Sequence, residues 1–61
     1  DPEIAALEAA RESKYREIRD AEMDRESGKL SEEDFRELDA ELRREAVGIL
    51  DRLEALKGKE S

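Results

Sequence analysis

Ser27-Gly28-Lys29-Leu30-Ser31-Glu32-Glu33-Asp34-Phe35 reads as one helix stopping and another starting within about five residues. Gly28 can take the left-handed backbone conformation that ends a helix, which costs a residue bearing a Cβ ~1–2 kcal/mol and glycine almost nothing. Ser31 can cap the next helix with its hydroxyl, and Asp34, three residues on, supplies a carboxylate variant of the capping box. Leu30 precedes that cap and Phe35 occupies the fourth helical position, which is the spacing of a hydrophobic staple. A connection this short joins antiparallel helix neighbours.

Upstream, Asp1-Pro2-Glu3 reads as an N-cap, a proline at the first helical position and an acid in the first turn. No Gly or Pro then interrupts as far as Glu26. Apolar residues fall at Ile4, Leu7, Ala10, Ile18 and Ala21, with Tyr15 beside the stripe and Arg11 and Lys14 breaking it. Downstream, Phe35, Leu38, Leu42, Ala46, Ile49, Leu53 and Leu56 recur at the three- and four-residue steps of a helix facing one partner. Gly58, between Lys57 and Lys59, suits a helix C-terminus, where cations complement the dipole.

The expected fold is therefore all-α, a single antiparallel two-helix hairpin over residues 1–61. Its helices are predicted over about 2–27 and about 32–57, joined by a turn at 28–31. Each would be roughly 26 residues, or about 39 Å at 1.5 Å per residue. Positions whose numbers sum to roughly 59 or 60 should face each other, by antiparallel geometry. That sets Ile4 against Leu56, Leu7 against Leu53, Ala10 against Ile49, Ile18 against Leu42 and Ala21 against Leu38. Lys14, the polar break in the first stripe, falls near Glu45 and Ala46. Gly48 costs its helix roughly 1 kcal/mol against alanine, and it reads either as a surface glycine or as the site of a close helix crossing.

Composition excludes more functions than it suggests. Charged residues make up 51% of the 61 and aromatics 3%, which lies between disordered chains and long helices until the periodicity above decides for helix. The net charge of −7 is spread evenly, nine acids against six bases through Leu30 and ten against six afterwards. Such a chain presents no concentrated basic face to a nucleic acid and is repelled by an anionic membrane surface. No apolar run approaches the ~20 residues of a membrane span, and no signal-peptide pattern is present.

Without His or Cys there is no zinc set, no disulfide and no histidine general base. Ser13, Ser27, Ser31 and Ser61 have no base to activate them. The run from Gly28 to Phe35 imitates half an EF-hand loop, but setting Gly28 at loop position 6 puts Met23 and Arg25 where the first two ligands belong. Asp20, Glu22, Asp24 and Glu26 alternate, so on a helix they diverge and form a solvated face rather than an ion site. Glu12 with Arg16 and Asp39 with Arg43 have the acid-first spacing of surface ion pairs. The expectation is a non-enzyme without metal or cofactor.

Two helices form one seam, and the second helix has more apolar surface than the first can cover, particularly at Val47, Leu50 and Leu53. At about 25 cal/mol per Å², exposing several such side chains forfeits some kilocalories that a small domain lacks. Ala46, Val47, Ile49, Leu50, Leu53 and Leu56 are accordingly the candidate interface, with a homodimer closing into a four-helix bundle as the expected outcome. A different protein docked on the acidic hairpin is the alternative partner. The chain begins Asp1-Pro2 without an initiator Met, so a piece of a longer protein is expected.

The stretch Tyr15-Arg16-Glu17-Ile18-Arg19-Asp20-Ala21-Glu22-Met23-Asp24-Arg25-Glu26-Ser27-Gly28-Lys29-Leu30-Ser31-Glu32-Glu33-Asp34-Phe35, continued by Leu38, Glu41-Leu42 and Arg44, resembles a known helical hairpin. It is similar to the cytoplasmic segment of c-type cytochrome biogenesis proteins of the CcmI/CycH type and of related bacterial membrane proteins. The likeness runs from about Tyr15 to Leu53. It implies a soluble cytoplasmic segment beside a membrane anchor that helps assemble a protein complex. It carries over no catalytic residue.

Overall fold

The backbone hydrogen bonds of the turn set the architecture. Gly28 stands at φ +82°. Its N–H donates to the Arg25 carbonyl at 3.2 Å, and the Lys29 N–H donates to the Asp24 carbonyl at 2.9 Å. These two bonds make a Schellman motif, which satisfies carbonyls that the end of a helix otherwise leaves bare. Three residues later the Ser31 hydroxyl accepts from the Asp34 N–H at 3.1 Å, and the Ser31 carbonyl accepts from the Phe35 N–H at 2.8 Å. Stop and start signals both act where the sequence put them.

The computed structural model describes residues 1–60, with side chains through Gly58. Helix α1 spans Pro2–Glu26 and helix α2 spans Glu32–Glu60, packed against each other. No strand occurs among the described residues, and the chain is an all-α helical hairpin. At the open end, the Asp1 carboxylate accepts from the Glu3 N–H at 2.8 Å, so the expected N-cap forms. Helix α2 departs from expectation by continuing past Gly58 to Glu60. Gly58 keeps a negative φ, because a glycine in a helix costs only about 1 kcal/mol and need not end it. The Lys59 side chain and Ser61, both read above from sequence, lie outside the described residues.

The seam between the helices is thin. Its buried apolar residues are Ala21 from α1 and Phe35, Leu42, Ala46 and Leu53 from α2. Ile4, Leu7, Ala10, Ile18, Ile49 and Leu56 are half-buried along it, and Leu30 is half-buried ahead of the α2 cap. The polar break in α1 finds its acid, since Lys14 Nζ donates to Glu45 Oε1 at 2.7 Å. That contact fixes the register where the sequence placed it.

Leu38 differs from expectation: it retains 37% of its exposure, while its expected opposite, Ala21, keeps 3%. An alanine is too short to cover a leucine lying at the edge of the stripe, which explains the asymmetry. Gly48 is exposed, and a Cβ built there meets no atom within 4 Å, so within the hairpin it is a surface glycine and no crossing of α1 and α2 depends on it.

One contact at the turn was not anticipated. The Arg25 guanidinium lies 4.4 Å from the centroid of the Phe35 ring and 3.7 Å from a Glu32 carboxylate oxygen. The last turn of α1 is thereby clamped to the first turn of α2 by a cation–π contact and an ion pair. Of the expected surface pairs, Arg43 and Asp39 meet at 2.9 Å, whereas the Glu12 carboxylate lies 3.8 Å from Arg11.

The molecule has more surface than its size requires. A compact chain of 61 residues has a radius of gyration of about 10.5 Å, and this one has 14.2 Å. Its accessible surface is 4529 Å2, where a folded monomer of 7.0 kDa has about 4000 Å2. The excess belongs to two helices lying side by side in a body of 46 × 15 × 12 Å.

Candidate functional site

Ion pairs mark the two edges of the seam, and hence the two broad faces of the hairpin. On one face Glu3 meets Arg52 at 2.7 Å and Lys14 meets Glu45 at 2.7 Å. On the other, Glu8 meets Lys57 at 3.5 Å and Glu22 meets Arg43 at 3.9 Å. Both pairs on this second face have residue numbers summing to 65.

Helical spacing then places the residues between those pairs. Tyr15 stands seven residues, about two turns, from both Glu8 and Glu22, while Leu50 stands seven from both Arg43 and Lys57. Tyr15 and Leu50 also sum to 65, so they form the middle rung of a ladder whose outer rungs are ion pairs. Neither is buried: Tyr15 keeps 46% of its exposure, Leu50 39%, and Val47, one turn before Leu50, 55%. The second face thus has an uncovered apolar centre between charged ends. Arg11, one turn before Tyr15, has its Nε buried without a hydrogen-bond partner.

The six residues expected to form an interface separate accordingly. Ala46 and Leu53 are buried in the intramolecular seam, and Ile49 and Leu56 are half-buried in it, so they hold the hairpin itself. Val47 and Leu50 are exposed and face outward with Tyr15. Sequence reasoning saw Tyr15 only as a neighbour of the stripe. The signal that finds it is the seven-residue spacing of Glu8, Tyr15 and Glu22 against Arg43, Leu50 and Lys57.

The first face carries a different feature. An open depression of about 230 Å3 is lined by Glu17, Asp20 and Asp24 of α1 and by Leu38 and Leu42 of α2, with Ala21 beneath. It lies where the ladder of cross-helix pairs on that face lapses. Continuing the Glu3–Arg52 rung two heptads inward sets Glu17 against Leu38, so Glu17 takes its cation from its own helix, Lys14 at 3.0 Å, and Asp20 and Asp24 complete the wall. The result is an apolar floor with an acidic wall.

Lys14 is held by hydrogen bonds to Glu45 and then Glu17, which raise its pKa above the ordinary lysine value of 10.5. An ammonium held in this way is a fixed cation, not a base or a nucleophile. Among the described residues, no three acidic side chains come together as a metal ion would require. No helix among the described residues is long and apolar enough to cross a membrane.

The fold thus defines the chain as an all-α hairpin with one apolar-centred face and one acid-walled groove. No protein-family model, curated protein or solved structure matches it.

Proposed function

We propose that this chain is a non-catalytic association module that pairs with a second copy of itself, hairpin on hairpin, into a four-helix bundle. The observation that carries this reading is the exposed Tyr15–Leu50 rung, flanked by Val47, on a chain whose own seam buries little. Exposed ion pairs add at most about 1 kcal/mol each, so they do not make up for a thin core. Covering an apolar face does. A face of 46 × 15 Å is of the order of the ~800 Å2 that each partner buries in a stable dimer.

Sedimentation equilibrium tests the proposal. The wild-type chain is expected at twice its 7.0 kDa mass, and Leu50→Glu, which puts a charge in the middle of the face, at 7.0 kDa. A wild-type chain that is folded and monomeric at hundreds of micromolar would overturn it.

The groove favours a second reading, in which the first face docks a basic amphipathic helix of another protein. Its apolar floor would take an aliphatic side chain and its acidic wall the neighbouring cations. Titration with a Lys/Leu amphipathic peptide tests this. Asp20→Asn with Asp24→Asn should weaken binding about tenfold more than Glu37→Gln with Asp51→Asn on the outer side of α2. Equal losses would mean a diffuse charge effect and no docking site. The likeness of the turn to cytochrome-assembly hairpins favours a cytoplasm-facing segment of a membrane-anchored assembly protein as the parent. Membrane fractionation of that parent would test the assignment.

A further inference from the structure

Resting on the self-association proposed above, the charge ladder points to one orientation for the pair: we infer that the two hairpins lie parallel, turns at the same end, with α1 of each copy on α2 of the other. Two arrangements bring identical faces together by a two-fold axis in the plane of contact. If the axis runs along the hairpin, each α1 meets the partner's α2 at the same level. If it runs across the hairpin, each α1 meets the partner's α1 with the ends reversed, and each α2 meets the partner's α2.

The pattern of charges separates these two. On the associating face α1 carries Glu8 and Glu22 on either side of Tyr15, and α2 carries Arg43 and Lys57 on either side of Leu50. With the axis along the hairpin, Glu8 comes beside a second Lys57, Glu22 beside a second Arg43, and Tyr15 beside a second Leu50. Both acids of the ladder, Glu8 and Glu22, then have a cation on each side, one from their own chain and one from the partner. With the axis across the hairpin, Glu8 comes beside a second Glu22, and Arg43 beside a second Lys57. Each outer rung then places like charges together, which weakens association and selects against that alignment. The apolar centre is satisfied either way. The charges therefore decide the orientation, and the apolar rung decides the face.

The consequence is polarity. A pair built this way has both turns at one end and both Asp1 ends at the other, so whatever is attached to the open ends of two copies is brought to one side.

The chain has no cysteine, so a single engineered thiol carries a unique label. Lys29→Cys puts a spin label on the turn, where Lys29 is exposed, and Ala5→Cys puts one near the open end, where Ala5 is exposed. Electron–electron distance measurements on each dimer should give about 10–30 Å for both sites, the spacing of adjacent helices plus the reach of the labels. A dimeric mass with turn-to-turn separation near the hairpin length of 46 Å would overturn the orientation while leaving self-association standing. A monomeric mass for the unlabelled chain would overturn the pairing, and the orientation with it. Having two label sites guards against one substitution disturbing the turn.

Discussion

Replacing Gly48 and Gly28 with alanine makes the same chemical change in two open places, yet the two variants should move stability in opposite directions. A Cβ at either position meets nothing within 4 Å, so neither change adds a contact or a clash. Only the backbone differs. Gly48 sits within α2 at an ordinary helical φ, where alanine is favoured over glycine by about 0.8–1.0 kcal/mol. Gly28 stands at φ +82°, where a Cβ costs ~1–2 kcal/mol, partly offset by ~0.5 kcal/mol from a stiffer unfolded chain. The net loss is about 1 kcal/mol.

The two variants should therefore differ by roughly 2 kcal/mol, or about 8–16 °C in melting temperature for a chain of this size. Thermal melts followed by far-ultraviolet circular dichroism at one fixed concentration would show it. Gly48→Ala must melt above the wild type and Gly28→Ala below it. If Gly48→Ala destabilises, position 48 lies against something that the isolated hairpin does not contain, and its assignment to open surface is wrong. If Gly28→Ala is neutral, the Schellman turn does not hold the helices together.

Two further outcomes follow from the same structure. Leu53→Ala empties a position only 3% exposed and should cost about 2–4 kcal/mol, much of the stability of a chain this size, whereas Leu38→Ala, at 37% exposure, should cost under about 1 kcal/mol; urea melts that show equal costs would contradict the assignment of the seam. The Lys14 pKa is raised in the folded chain by hydrogen bonds to Glu45 and Glu17, so its contribution is complete below pH 10.5 and is lost as the pH rises through the folded-state value. Stability measured across alkaline pH should fall more steeply for wild type than for Lys14→Met, and parallel curves would refute the role given to that cluster.

How much of this was legible in the sequence depends on the range of the rule involved. The caps at Asp1, Gly28 and Ser31 are local hydrogen-bond chemistry, readable from a few adjacent residues, and all three form. The register was legible as well, because one short turn fixes the pairing along both helices, and the Lys14–Glu45 contact obeys it. The assignment of individual stripe residues to seam or surface was not. A 3.6-residue period gives the width of an apolar stripe but not the rotation of the helix about its own axis, and a rotation of a few tens of degrees moves Leu38 outward and Leu53 inward. Four of the six expected interface residues consequently face the other helix of their own chain. Tyr15 escaped for a related reason, since it becomes part of a face only when both helices are considered together. The Arg25–Phe35 clamp needed the turn geometry before its two residues could be recognised as neighbours.

Tyr15 also supplies the most direct test of the central claim. It is the only tyrosine in a chain without tryptophan, so the protein's intrinsic fluorescence reports from the proposed face. Acrylamide quenching of Tyr15, followed from micromolar to millimolar protein alongside the sedimenting mass, should weaken in step with the rise from 7.0 kDa to twice that value. A mass that doubles while quenching stays constant would place the association on another face, and a mass that never rises would contradict it altogether.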